Sequence, residues 1–123
     1  MSQHRIHSDL YRVGKSMPDP GDGGTIRVTQ DLQICEMVSA GSETRTLAAP
    51  TKSGLRFVLR LLTDGGDVRV TAENGFNAAG EVDAVFADAS DFLSLISVEH
   101  SSGPPKTYRW EPEDGNTGVT ISA

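Results

Sequence analysis

The sequence predicts an all-β protein, a small antiparallel sandwich, jelly roll or barrel with an extended N-terminal arm. Three observations favour this class. Thirteen glycines and 6 prolines among 123 residues suit short strands and frequent turns better than helices. Apolar residues recur with a period of two in several runs. A turn signal separates each run from the next, which predicts eight or nine short strands in one domain.

Residues 1–24 are predicted to be the arm, ending in a Pro/Gly linker, and residues 25–123 a single β domain. Apolar side chains in the arm follow no strand period. The segment 18–24, PDPGDGG, cannot continue a helix and pairs poorly in a sheet. Two interpretations of the arm stay open: a disordered terminus, or a segment that docks on a partner through Leu10, Tyr11 and Arg12.

The first strands of the domain are predicted from Ile26 and Val28, from the run 34–38, and from the short run 43–47. Cys35 is predicted to be a small buried residue that fills space in the core. A catalytic thiol would need a base, and the sequence places none beside it. A single cysteine cannot form an internal disulfide. The domain must therefore be held together by its core or by partners.

Residues 55–72 are predicted to form a β-hairpin around which the chain is organised. Phe57, Leu59 and Leu61 alternate with residues of the opposite strand face, which indicates a half-buried strand. The following DGGD sequence, 64–67, supplies two glycines that tolerate the positive φ values of a tight hairpin loop. We therefore expect the chain to fold back directly into a strand at 68–72.

The remaining strands are predicted at 82–86, 92–98, 107–110 and 119–121. The dense apolar run 92–98 suggests a central strand covered on both faces, with Phe92 in the core. In the run 107–110, Tyr108 and Trp110 share a face. Trp110 is either a core residue or, with Tyr108, a platform on which a sugar stacks.

Charge and hydropathy exclude several partners. A net charge of -6 and a pI near 4.9 disfavour binding to nucleic acid or to an anionic membrane, since too few cations are available to displace counterions. No apolar run approaches the roughly 20 residues of a membrane-spanning helix, and the N-terminus lacks the apolar centre of a signal peptide. We expect synthesis in a cytosol-like compartment.

No catalytic residue, metal site or cofactor is predicted, so we expect a protein that is not an enzyme. His4 and His7 have no glutamate between them and do not match a zinc-binding helix, and no serine lies in a Gly-x-Ser-x-Gly sequence. Acidic loops occur near Asp64, Asp88 and Glu111. None matches a twelve-residue calcium loop, and aspartate with glycine is the ordinary chemistry of turns.

Four stretches carry a resemblance to a known group of proteins. They are LAAPTKSG at 47–54, LLTDGGDV at 61–68, FADASDFLSLISV at 86–98, and YRW at 108–110 followed by Gly118 and Val119. Together they resemble small virion proteins of tailed bacteriophages, and most closely the head decoration, or cement, proteins. The resemblance covers about residues 46–122 and does not include the arm.

The resemblance implies an all-β homotrimer on the outer surface of the phage capsid, made in the host cytoplasm and bound to the major capsid protein lattice. It implies no active site and a role in stabilising the head. An N-terminal segment often supplies lattice contacts in such proteins. On this chain the candidate partner-binding residues are Ile6, Leu10, Tyr11, Arg12 and Val13.

Other functions share the same pattern. A phage tail, head-fibre or head-tail completion protein would have the same composition and strand spacing. A carbohydrate-binding β-sandwich would use Tyr108, Trp110 and the acidic loops. A small cupin-like enzyme would need a histidine cluster inside a barrel, and His100 is the one histidine that the sequence places outside the arm.

Overall fold

The computed structural model describes residues 15–113 and 118–123, and these residues form two five-stranded sheets packed face to face. The strands are β1 (Lys15–Met17), β2 (Thr25–Ile26), β3 (Leu32–Val38), β4 (Glu43–Leu47), β5 (Arg56–Thr63), β6 (Val68–Ala72), β7 (Asp83–Phe86), β8 (Phe92–Ser101), β9 (Thr107–Pro112) and β10 (Thr120–Ser122). Sheet A has the order β1-β3-β5-β8-β9, and sheet B has the order β10-β7-β6-β4-β2.

The predicted all-β sandwich is confirmed, although its sheets are mixed rather than antiparallel and neither closes into a barrel. The first six strands alternate between the sheets, so that β1, β3 and β5 run parallel in sheet A. Strands β2, β4 and β6 run parallel in sheet B. The last four strands join antiparallel, with β7 and β10 extending sheet B and β8 and β9 extending sheet A.

The predicted hairpin at 55–72 is wrong. Strand β5 pairs with β3 and β8, whereas β6 pairs with β4 and β7 in the other sheet. The connection 64–67 therefore crosses from sheet A to sheet B. It lies against the connection 39–42, which also crosses from sheet A to sheet B, between β3 and β4. The Ser39 amide donates to the Thr63 carbonyl at 3.0 Å, and the Ser39 hydroxyl donates to the Gly66 carbonyl at 2.7 Å.

Close packing of these two connections explains the glycine pair. A Cβ on Gly65 would overlap the Ser39 carbonyl oxygen, and a Cβ on Gly66 would overlap the Gly41 carbonyl carbon. The glycines are thus required by the approach of two backbones rather than by a hairpin turn.

The core lies between the sheets and is built from alternating positions of both. Phe57, Leu59 and Leu61 are fully buried, as the alternation in β5 predicts, and Cys35 is a buried filler. The Phe57 and Trp110 rings meet edge to face, with centroids 5.9 Å apart and an interplanar angle of 81°. Such pairs contribute about 1 kcal/mol beyond the area that they bury.

Strand β8 is an inner strand of sheet A, as the dense run 92–98 predicts, but the prediction that Phe92 lies in the core is wrong. Strand β5 is central in sheet A, and β8 lies between β5 and β9. Leu93 and Leu95 point into the core, while Phe92 and Ile96 lie on the outer face and are half-buried. The sequence run is dense because both faces of β8 carry apolar residues, but only one of those faces meets sheet B.

Candidate functional site

The predicted partner-binding residues Ile6, Leu10, Tyr11, Arg12 and Val13 lie outside the described residues. The structure nevertheless shows how the segment that follows them joins the domain. Strand β1 lies at the edge of sheet A, parallel to β3, with Lys15 opposite Gln33 and Met17 opposite Cys35. A strand therefore already occupies part of the segment 1–24 that the sequence assigns to the arm and linker.

A buried ion pair holds the connection after β1. The Arg45 guanidinium binds the Asp19 carboxylate through two hydrogen bonds, from Nε to Oδ1 at 2.6 Å and from Nη2 to Oδ2 at 2.8 Å. Arg45 Nη2 also donates to Glu43 Oε1 at 3.0 Å and to the Val38 carbonyl at 3.1 Å. The Arg45 side chain is fully buried. A charged group in such a place requires this degree of pairing.

Backbone contacts extend this arrangement to both sheets. Asp19 accepts hydrogen bonds from the amides of Gly21 at 3.1 Å and Val38 at 2.9 Å, and Val38 ends β3 of sheet A. Asp22 accepts from the amide of Thr44 at 2.9 Å, and Gly23 donates to the Thr44 carbonyl at 2.7 Å; Thr44 belongs to β4 of sheet B. The segment 18–24 therefore ties one end of the sandwich together. We call Asp19, Arg45 and these backbone contacts the Asp19 anchor.

The electrostatics of the anchor keep both partners charged. Burial raises the pKa of Asp19, but the hydrogen bonds from Arg45 and from the Val38 and Gly21 amides outweigh it and leave the pKa below its ordinary value. Burial lowers the pKa of Arg45, and its contacts with Asp19 and Glu43 outweigh that effect and raise the pKa. The pair is therefore an ion pair throughout the neutral pH range.

Sequence reasoning missed the Asp19 anchor. Its one signal was Arg45 at an inward-facing position of β4, where alternation with Leu47 predicts burial. A buried arginine needs a carboxylate, and Asp19 is 26 positions away in a segment with no strand pattern. Only the topology brings the two residues together.

The outer face of sheet A carries a stripe of buried and half-buried side chains across its middle. Val58 and Ser94 face each other on β5 and β8 and are both fully buried, and Ile34 on β3 is 4% exposed. Leu32 and Ile96 are half-buried beside them. We call these five residues the outer stripe. Ion pairs flank it, Arg60 with Glu36 at 3.3 Å and Arg56 with Glu113 at 3.6 Å.

The outer face of sheet B is polar and rich in hydroxyl groups. One row across the sheet consists of Thr25, Thr46, Thr71, Asp83 and Ser122. Within it the Thr71 hydroxyl donates to Asp83 Oδ1 at 2.6 Å, and Arg69 donates to Asp83 Oδ2 at 2.9 Å. The two outer faces of the sandwich therefore offer different chemistry, apolar at the centre of sheet A and polar on sheet B.

The acidic loops act as turns. Asp64 Oδ1 accepts a hydrogen bond from the Gly66 amide at 3.1 Å, and Asp91 Oδ2 accepts from the amides of Ala87 at 3.1 Å and Asp88 at 3.0 Å. Across residues 15–113 and 118–123, no three His, Cys, Asp or Glu side chains come together as metal ligands. His100 is exposed at the end of β8, and the predictions about His4 and His7 fall outside the described residues.

Two further candidate residues lie in the core. Burial raises the pKa of the Cys35 thiol to about 12, with a smaller contribution from the charge of Asp19. A thiol with such a pKa is a poor nucleophile at neutral pH. Trp110 is 1% exposed, and its Nε1 donates to the Ala48 carbonyl at 2.9 Å. Trp110 is therefore a core residue and cannot form a stacking surface with Tyr108.

No protein-family model matches the chain, and no curated protein matches it either. Within the described part of the chain, no helix is long and apolar enough to cross a membrane. The proposal for function therefore draws on the residues, the fold and the contacts given above.

Proposed function

We propose that the chain is a structural protein of a tailed-phage virion. In this proposal it is a capsid decoration protein that binds the outer surface of the head as a homotrimer and stabilises it. The N-terminal segment contacts the major capsid protein through Ile6, Leu10, Tyr11, Arg12 and Val13. The resemblance of residues 46–122 to decoration proteins supports the class, and the β-sandwich is compatible with it.

The Asp19 anchor is the observation that carries the proposal. A protein that binds a capsid through a terminal segment stays attached only if that segment is firmly joined to the folded domain. Here the segment joins β1, which pairs with β3, and the next residues are fixed by the ion pair between Asp19 and the buried Arg45. The residues that follow 1–14 are therefore joined to both sheets, to sheet A through β1 and to sheet B through Arg45.

Trimer formation would allow individually weak contacts to hold the protein on the capsid. Three N-terminal segments held at fixed spacing act at high effective concentration, so modest individual contacts sum to slow dissociation. Closed three-fold symmetry would also cover edge strands that a lone sandwich leaves open, such as β9 of sheet A. The net charge of -6 suits a surface that faces solvent and not packaged DNA.

Co-sedimentation tests the proposal. Purified protein is mixed with expanded heads of the phage that encodes it, from which the native copies have been removed, and bound protein is measured after a density gradient. We expect saturable binding that Tyr11→Ala with Arg12→Ala weakens at least ten-fold. The matched control is Thr44→Ala on the exposed outer face of sheet B, which should bind as the unmodified protein does.

Two results would overturn the proposal. Absence of binding to heads, together with binding to purified tails, would assign the chain to the tail. Binding that the paired substitution in the N-terminal segment leaves unchanged would remove residues 11 and 12 from the contact with the capsid.

A further inference from the structure

We infer that a shallow cleft on the outer face of sheet B binds a neutral saccharide through two neighbouring hydroxyl groups of a sugar ring. The cleft has a volume of about 260 Å³ and is lined by Ser42, Glu43, Thr44, Asp67, Arg69 and Val85. This inference goes beyond the proposed virion role and does not depend on it. It gives the polar outer face of sheet B a ligand of its own.

Strand pairing places four polar side chains of the cleft at the corners of a rectangle. Thr44 on β4 lies opposite Arg69 on β6. Ser42 and Asp67 precede them by two positions and line the same cleft, and the two chains are joined there by the Glu43 amide, which donates to the Asp67 carbonyl at 3.0 Å. Adjacent strands lie about 4.8 Å apart, and two residues along a strand span about 6.6 Å. A hexose ring with its hydroxyl groups is of this size.

The polar groups of the cleft are free to bind a ligand. Among residues 15–113 and 118–123, the side chains of Ser42, Thr44 and Asp67 have no hydrogen bond or ion pair. Arg69 does not pair with Asp67, although the two are separated by one residue on the same chain. Its Nη1 instead donates to Asp83 Oδ2 at 2.9 Å, and its other guanidinium nitrogens remain available. A carboxylate acceptor and a guanidinium donor therefore line one cleft without neutralising each other.

Arg69 is held in position by residues beside the cleft. Asp83, whose side chain is 15% exposed, accepts hydrogen bonds from both Arg69 and the Thr71 hydroxyl, the latter at 2.6 Å. These contacts orient the guanidinium while half of the Arg69 side chain stays exposed. On the next strand Val85 lies opposite Arg69 and offers an apolar surface. Polar groups fixed before binding lose less entropy when a ligand arrives. A few fixed polar groups beside an apolar surface are typical of small-molecule sites.

The charges in the cleft favour a neutral ligand. An anion would meet the carboxylates of Asp67 and Asp83, and a cation would meet the guanidinium of Arg69. Two neighbouring hydroxyl groups suit both signs of charge, because one donates to Asp67 while the other accepts from Arg69. The Ser42 and Thr44 hydroxyls donate or accept as the ligand requires. A sugar with a vicinal diol is therefore the class of ligand that uses all four polar groups.

Amide chemical shifts of the isotope-labelled full chain test the inference. The probes are glucose, galactose, mannose and N-acetylglucosamine, each added separately, and inorganic phosphate represents an anionic ligand. We expect at least one of these sugars, at millimolar concentration, to shift the amides of residues 42–44, 67–69 and 85. The permethylated methyl glycoside of the same sugar, which has no hydroxyl group, should leave these amides unchanged.

Three variants locate the contact. Asp67→Asn removes the charge at nearly constant size and should weaken sugar binding about ten-fold, the usual effect of losing a hydrogen bond to a charged group. Thr44→Val removes a hydroxyl group and should weaken binding about three-fold. Asp31→Asn is the matched control, because Asp31 is an exposed aspartate outside the cleft that pairs with Lys52. It should bind as the unmodified protein does, and the amide spectrum of each variant shows whether the variant is folded.

Three results would overturn the inference. The first is that none of the four sugars shifts the amides of the cleft. The second is that phosphate shifts those amides and the sugars do not, which would make the ligand an anion. The third is that Asp67→Asn binds the sugar as tightly as Asp31→Asn does, which would remove the Asp67 carboxylate from the site.

Discussion

The Asp19 carboxylate and the Arg45 guanidinium form a two-point ion pair, 2.6 Å and 2.8 Å long, that joins a proline- and glycine-rich segment to a buried position of β4. Arg45 is fully buried, whereas the Asp19 side chain is 15% exposed. Because Arg45 is the more deeply buried of the two, removing the Asp19 carboxylate leaves the Arg45 charge inside the protein without its main partner.

Asp19→Ala is expected to lower the free energy of unfolding by about 3 kcal/mol, the lower end of the cost of breaking a buried ion pair, because the buried Arg45 loses its two-point partner and keeps the single contact with the Glu43 carboxylate. The matched control is Asp31→Ala, which removes an exposed ion pair with Lys52 and should cost less than about 1 kcal/mol. Denaturant titration of both variants measures the difference. Equal losses would show that the Asp19 anchor does not stabilise the fold.

The anchor also predicts a pH dependence. The pKa of Asp19 is lower in the folded protein than in the unfolded chain, where an aspartate has a pKa of about 3.9. Its contribution to stability is therefore complete above that unfolded value and is lost as the pH falls through the folded pKa. The gap in unfolding free energy between unmodified protein and Asp19→Asn should be constant from about pH 6 to 8 and narrow below about pH 4. A gap that widens on acidification would contradict this account.

Gly66→Ala is expected to cost more than about 2 kcal/mol, because the new Cβ would overlap the carbonyl carbon of Gly41 in the neighbouring connection. Gly41→Ala is the matched control from the same contact. Its Cβ would meet no atom within 4 Å, so we expect a change within about 0.5 kcal/mol. Thermal unfolding of the two variants measures the difference. Comparable effects would mean that the two connections do not pack as closely as described.

Phe57→Ala should destabilise the protein by about 3 to 5 kcal/mol, because it opens a cavity in the core and removes the edge-to-face contact with Trp110. Leu62→Ala is the control on the same strand, where the side chain is 45% exposed, and should cost under about 1 kcal/mol. Denaturant titration, with Trp110 fluorescence as the probe, reports both. A loss below about 1 kcal/mol for Phe57→Ala would place the core on the other face of β5.

Cys35 should react with a thiol reagent only when the protein unfolds. Its pKa of about 12 leaves a thiolate fraction at pH 8 that is roughly a thousand-fold or more below that of an unfolded cysteine with a pKa near 8.5. Labelling of the native protein should therefore follow the rate of global unfolding and rise with denaturant. Rapid labelling without denaturant would show an open route to the core.

Alternation in the sequence was sufficient to predict the faces of the strands. In β5, Phe57, Leu59 and Leu61 point into the core, while Arg56 and Arg60 form ion pairs on the outer face. The same period predicts the buried Ala84 and Phe86 of β7. A period of two is a local property of the chain, so one sequence suffices to read it.

Strand pairing was not predictable in the same way. The DGGD sequence at 64–67 suits a tight hairpin, and it equally suits a crossing between sheets whose glycines admit a neighbouring backbone. The parallel pairing of β5 with β3 decides between them, and that pairing joins segments more than twenty residues apart. The Asp19 and Arg45 contact depends on the same topology. The role of Ile6, Leu10, Tyr11, Arg12 and Val13 stays a prediction.

The number of copies in the virion tests the central proposal most directly. The proposal implies that a phage encodes the chain, so particles of that phage would be purified and the protein quantified against the major capsid protein by mass spectrometry with isotope-labelled standards. A decoration protein on three-fold positions of the lattice should be present in hundreds of copies, in a fixed ratio to the major capsid protein. A few copies per particle, or none, would contradict the proposal.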